Sequence, residues 1–188
     1  MSVTTRDRII EAALTLAAER GLSEVTMIDV ARTADVARAT LYNHYRDVPS
    51  ILADAAERHN ADAITGLRQS LAVVATPTEI IEQLVRYVAS ISAHGHTLTT
   101  HHGLPADLRH RLSAFDDELD RWIAEALIDG AATGEFRADL DADTTTALVR
   151  HMLIGISELV AESPRRTAEI VRQGTDTILA AITSAPGD

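Results

Sequence analysis

The chain contains no cysteine, and all 17 of its basic residues are arginine because it has no lysine. Without cysteine there are no disulfides, no thiol nucleophile and no zinc–thiolate site. The all-arginine choice reads as a composition bias. Aromatic residues make up 3% of the 188, with a single tryptophan. No stretch approaches the ~20 consecutive apolar residues that a membrane span needs, and the N-terminus lacks a signal-peptide core. A cytoplasmic location is therefore expected. β-Branched alternation is sparse and there is no Asn-Gly pair, so strand and hairpin signals are weak throughout.

What is present is helical periodicity and acid. The 46% hydrophobic content of this chain suffices for one domain or two small ones. The formal charge is −11, and its distribution is uneven. Residues 1–46 hold six arginines and six acids, so the remaining 142 residues, with eleven arginines and 22 acids, carry the whole excess. An acidic body behind a neutral head repels nucleic acid everywhere except at the head; acidity that serves only solubility would look the same.

Apolar spacing at threes and fours places helices along the chain. The first runs from about Thr5 to Arg20, with Ile9, Ile10, Ala13, Leu14 and Ala17 on one face and Gly21 at its exit. Asp47 caps a long helix with Pro49 in its first turn, and its stripe continues from Leu52 through Ala63, Leu67 and Leu71 to Val74. Thr78 to about His94 follows. A further helix begins near Ala106, after the Pro105 break, and reaches the Gly130–Gly134 segment. Asp141 or Asp143 caps the next, and Ser163-Pro164 opens the last. The expected fold is all-α with about nine helices: an N-terminal three-helix head over 1–46 and a helical-bundle body over 47–188.

The segment Thr26–Arg46 is the most informative. Thr26 with Asp29 three positions on is a variant of the capping box. Val30, Ala31 and Ala34 give the helix it opens a narrow apolar face. Asp35 then breaks the pattern, being one of the few non-glycine residues that tolerate a left-handed turn. A second short helix from about Ala37 to Asn43 buries Val36, Leu41 and Tyr45 and presents Arg38, Thr40, Tyr42, Asn43 and His44 outward. Two short helices across a tight turn make a helix-turn-helix, whose second helix enters a DNA major groove. Arg38 can fork onto guanine O6 and N7, and Asn43 can reach a base edge or a phosphate. Thr40, Tyr42 and His44 suit phosphate oxygens, as do Arg46 and Thr26 at helix starts. Arg6 is placed to reach a neighbouring minor groove.

Arg8-Ile9-Ile10, Ala12-Ala13-Leu14, Gly21 and the run from Thr26 to Tyr45 together resemble the N-terminal domain of TetR-type transcriptional repressors. The match is tightest at Thr40-Leu41-Tyr42-Asn43-His44-Tyr45, against the family's Thr-Leu-Tyr-x-His-Phe. Gly134-Glu135-Phe136-Arg137 and the terminal helix pair resemble the family more loosely. Asp35 stands where the family usually has Gly, Ala37 where it has a capping Ser, and Ala39 where it has Gly.

The resemblance implies an effector pocket in the body, for which Tyr87, Ile91, Leu98, Phe115, Trp122 and His151 are the candidates. It also accords with pairing of the last two helices with a second copy through Val149, Met152, Leu153, Ile156, Val160, Val171, Gly174, Ile178 and Ile182. Two-fold pairing has a physical motive, because one helix-turn-helix buries too little surface for tight specific binding while a symmetric pair reads a palindrome. The expected function is a homodimeric repressor, without cofactor or metal, released from a palindromic DNA operator by a small-molecule effector. The rival reading is a helical metal-binding protein or enzyme built on His94, His96, His101, His102 and His110. On one helix His94 and His96 would point about 200° apart, and the set offers no i, i+4 pair. No nucleophile sits at motif spacing from a base. A third possibility is an adaptor that keeps the fold without operator recognition.

Overall fold

The computed structural model describes residues 4–21, 24–93 and 113–183, and among them there is no strand. Eight α-helices and one short 3-10 turn account for most of these residues. Of the described residues, those up to Asn60 form one compact unit and those from Ala61 a second.

In the first unit, α1 (Thr5–Arg20) starts at a full capping box. The Thr4 hydroxyl accepts from the Asp7 amide at 3.2 Å, and the Asp7 carboxylate accepts from the Thr4 amide at 2.9 Å. Gly21, at φ +83°, ends the helix in a conformation that favours glycine. α2 (Met27–Thr33), α3 (Arg38–His44) and the start of α4 (Val48–Leu71) close over α1. Ile9, Ala13, Leu16, Val30, Leu41 and Ile51 form their common core, each large side chain contributing on the order of 1.5–3 kcal/mol by leaving water. Leu14, expected inside, is 49% exposed. The buried face of α1 runs through 9, 13 and 16, and position 14 lies well off it.

The second unit takes the rest of α4 with α5 (Pro77–Ala93), α6 (Ala114–Thr133), α7 (Ala142–Glu162) and α8 (Thr167–Ile182). Leu67, Leu84, Leu119, Ile123, Leu153 and Ile178 belong to one core. Asp141 caps α7 by accepting from the Thr144 amide at 2.9 Å. Glu135, in the turn after α6, accepts from the amide and the hydroxyl of Thr78 in the first turn of α5, at 3.2 and 2.7 Å. Ser163-Pro164 opens a 3-10 turn, Pro164–Arg166, which leads directly into α8. The sequence divides the chain at 46/47; the compact units divide within α4 because Val48 and Ile51 are buried in the first core.

No helix among the described residues is long and apolar enough to cross a membrane. The expected helix start near Ala106, Leu98 and the histidines 94, 96, 101, 102 and 110 all lie outside the described residues.

Candidate nucleic-acid interface

Thr26 caps α2: its hydroxyl accepts from the Asp29 amide at 3.2 Å and donates to the Asp29 carboxylate at 2.6 Å. Those bonds, led by the one from the Thr26 side chain, hold the Asp29 carboxyl below its ordinary range. Asp29 also pairs with Arg32 at 2.6 Å, which occupies the cation of α2. The turn after α2 is closed by the Val36 amide donating to the Ala31 carbonyl at 3.0 Å. Asp35 adopts φ +52°, the left-handed conformation expected of the turn.

α3 begins at Ala37, whose extended backbone has the geometry of an N-cap but whose methyl supplies no hydrogen bond. One side of α3 buries Leu41; Arg38, Ala39, Tyr42, Asn43 and His44 are exposed and Thr40 is half-buried. Arg38 and Tyr42, four apart, share a face. Arg38 makes no ion pair among the described residues, so its guanidinium is available to a ligand. Arg46 follows at the start of α4, where its Nε lies 3.3 Å from Ser50 Oγ and 3.2 Å from an Asp47 carboxylate oxygen. Asp47 caps α4 by accepting from the Ser50 amide at 2.8 Å. The result is a neutral to basic, hydrogen-bonding face carried on a rigid helix, as groove reading requires.

Tyr45 ends α3 and turns inward, only 6% exposed. Its hydroxyl donates to Asp54 of α4. Asp54 is itself buried and accepts a two-point fork from Arg6, with both nitrogens at 2.7 Å. Arg6 is thus committed inside the first unit rather than extended towards a minor groove, because it sits in the first turn of α1 facing α4. Burial pushes the Asp54 carboxyl up, but the bonds from Tyr45 and Arg6 outweigh it and hold the group below the usual carboxylate range. Burial, then the bond to Asp54, pushes the Tyr45 hydroxyl up, and Asp54 likewise raises Arg6. Asp54 was not singled out from the sequence. The available signal was an acid inside the apolar run Ile51-Leu52-Ala53-Asp54-Ala55-Ala56.

In the second unit, Phe115 is buried and Tyr87, Ile91 and Trp122 pack partly buried against the same core. The Tyr87 hydroxyl donates to the Ala63 carbonyl at 2.7 Å, so its polar tip ties α5 to α4. The indole Nε1 of Trp122 is buried and has no hydrogen-bond partner among the described residues. Arg121 stacks over the Trp122 ring, its guanidinium carbon 4.5 Å from the centroid. His151, expected beside them, is exposed, with Nδ1 2.6 Å from the Ala147 carbonyl oxygen. It is two positions from both Val149 and Leu153, which puts it on the far side of α7.

The residues expected to meet a second copy also divide. Val149, Leu153, Ile156, Val160, Ile178 and Ile182 are buried in the chain's own core, while Met152, Val171 and Gly174 remain partly exposed. The reason is that α7 carries two apolar stripes. One, through 149, 153, 156 and 160, faces inward; the other, through Leu148, Met152, Gly155 and Leu159, lies one position round. Leu148 and Leu159 are 57% and 53% exposed. Met152, Gly155 and Leu159 line an open groove of ≈ 370 Å³ with Gln173, Gly174 and Thr177 of α8.

Comparison with known proteins agrees with the helix-turn-helix. Residues 9–48 match the model for bacterial regulatory proteins of the tetR family. Over 194 aligned residues, covering 97% of this chain and 93% of the relative, the protein is 27% identical to the HTH-type transcriptional repressor KstR2 of Mycolicibacterium smegmatis. In fold it is similar to the fatty acid degradation regulator FadR from Bacillus halodurans, with a TM-score of 0.78, 18% identity and coverage of 95% and 96% of the two chains. It is also similar to the transcriptional regulator FadR from Bacillus subtilis in complex with stearoyl-CoA, with a TM-score of 0.76, 16% identity and coverage of 93% and 98%. Residues 9–48 thus match the helix-turn-helix region of the tetR family of bacterial regulatory proteins, and over nearly its whole length the chain is similar to an HTH-type transcriptional repressor.

Proposed function

We propose that the protein is a homodimeric repressor that binds a palindromic operator through α3 and leaves it when a small molecule binds the second unit. The observation that carries this is the polar face of Arg38, Tyr42, Asn43 and His44, exposed beside a half-buried Thr40 on a helix whose other side is locked into the first core. Arg38 reads a guanine and Asn43 a base edge or phosphate; Thr26, Thr40, Tyr42, His44 and Arg46 hold the backbone. Such a protein acts where the chromosome is, in the cytoplasm.

Dimerisation is supported by the outer stripe of α7 and the groove beside α8. Leu148, Met152, Gly155 and Leu159 are apolar and repeat at threes and fours, the pattern that pairs helices across a two-fold axis. Two heads one groove turn apart, about 34 Å, then match an inverted repeat.

The effector site is assigned to the core side of α5 and α6, around Tyr87, Ile91, Phe115 and Trp122, with Leu98 nearby in sequence to α5. These side chains offer apolar area and few polar tips, which suits an apolar ligand. Because the Bacillus subtilis relative in fold is complexed with stearoyl-CoA, acyl thioesters are the first class to test. A ligand releases DNA only by its preference for the non-binding state.

Selection of bound sequences from a random duplex library tests the reading. An enriched inverted repeat, whose binding weakens when the matching effector is added, is the expected result. Recovery of unrelated sequences at random would overturn it.

A further inference from the structure

We propose that Asp54, held by Tyr45 and Arg6, is a positioning residue for DNA recognition: it fixes the exit of α3 against α4 and so sets the angle at which Arg38 and Asn43 are presented. The proposal rests on the DNA-binding reading of α3 given above.

The geometry is specific. Tyr45 is the residue at which α3 ends, with its backbone extended at φ −143° and ψ 136°. Its ring is buried and its hydroxyl meets Asp54, nine residues on in the chain. Arg6 reaches the same carboxylate from α1 with two bonds of 2.7 Å, and its Nε lies 3.1 Å from the Tyr45 hydroxyl oxygen. Its guanidinium carbon is also 5.9 Å from the Tyr45 ring centroid. Arg58, one turn along α4, lies 3.7 Å from Asp54 Oδ1 and binds Asp7 of α1 at 2.5 Å. Two acids and two arginines thus join α1, the end of α3 and α4 with no net charge.

The Tyr45 hydroxyl donates to a buried carboxylate that also fixes Arg6, and it accepts from Arg6 Nε at 3.1 Å. Aromatic packing resists compression but leaves a helix free to rotate a few degrees. A charge-assisted hydrogen-bond network has directional demands and removes that freedom. Groove reading depends on such angles, because a bidentate base contact fails when its donor is misplaced by an ångström.

The test compares wild type with Tyr45→Phe, which keeps the ring and removes the hydroxyl, and with Arg6→Lys, which keeps the charge and removes the fork. Two readouts are taken on folded protein: the affinity ratio between the selected operator and its single-base variants, and hydrogen exchange of the α3 amides. Both variants are expected to lower that ratio about tenfold, the scale of one lost base contact, with the salt slope of non-specific binding unchanged. The α3 amides are expected to exchange faster while those of α2 do not. A lower melting temperature with an unchanged ratio and unchanged α3 exchange would show the network to be only structural and overturn the proposal. If wild type itself prefers no duplex, the DNA reading fails, and unchanged α3 exchange in Tyr45→Phe then overturns the positioning role separately.

Discussion

Gly130 of α6 lies directly under the ring of Phe136, so closely that a Cβ on Gly130 would stand 2.1 Å from Phe136 Cδ2. The chain reverses after Gly134, which is left-handed at φ +80°, and the Phe136 amide donates back to the Gly130 carbonyl at 2.9 Å. The ring is thereby folded onto the helix it has just left, 2% exposed.

Gly130→Ala is therefore expected to overpack the second unit and cost about 1–3 kcal/mol. Phe136→Ala is expected to cost about 3–5 kcal/mol by leaving a cavity. Denaturant unfolding measures both. A neutral Gly130→Ala would mean that the ring moves aside without strain.

Ala37 offers a gain instead of a loss. It occupies the N-cap of α3 with suitable backbone angles, φ −64° and ψ 144°, and no capping side chain. Ala37→Ser is expected to stabilise the first unit by about 0.5–1 kcal/mol. A raised melting temperature with slower exchange at the α3 amides is the result to look for.

Acid should weaken the second unit through Glu118. It accepts from Arg68 at 2.7 Å and Arg121 at 2.8 Å, and these arginines, Arg121 foremost, lower its carboxyl to about 2. The folded value lies below the unfolded one of about 4.3. The stabilisation is hence complete above about pH 4.5 and is lost as pH falls towards 2. Both arginines are largely exposed, which limits the effect to about 1 kcal/mol. Glu118→Gln should lower stability at pH 7 and flatten the fall between pH 4.5 and 2. An unaltered acid limb would show that the pair contributes nothing.

The outer stripe of α7 can be tested apart from the core. Leu159→Arg places a charge where the wild-type side chain is 53% exposed, so the folded protomer should tolerate it within ~0.5 kcal/mol. Sedimentation is expected to report a dimer for wild type and a monomer for the variant, with operator affinity reduced in parallel. A Leu159→Arg dimer would place the interface elsewhere.

Much of this architecture is legible in the sequence because it is written locally. Asp47 as a cap, the next cap narrowed to Asp141 or Asp143, Asp35 in a left-handed turn and the inward positions Leu41 and Tyr45 each follow from one residue's chemistry and its neighbours. What is not legible depends on partners far along the chain. Asp54 reads as an ordinary helical acid until Arg6, 48 residues earlier, is seen to fork onto it. On α7 both stripes are apolar at helical spacing, so periodicity marks a buried helix without choosing between 149–153–156–160 and 148–152–155–159. Packing against α5 and α8 makes the choice, so that Val149, Leu153, Ile156, Val160, Ile178 and Ile182 fill the chain's own core while Met152, Val171 and Gly174 stay partly exposed.

The most direct measurement is the affinity of wild type and Arg38→Ala for the selected operator and all its single-base variants across a salt series. Wild type should bind with a steep inverse dependence on salt. Arg38→Ala should lose about 1–3 kcal/mol and its discrimination at a single G·C pair of each half-site, with the other positions unchanged. Identical affinities for wild type and Arg38→Ala on every duplex would contradict the placement of α3 in the groove.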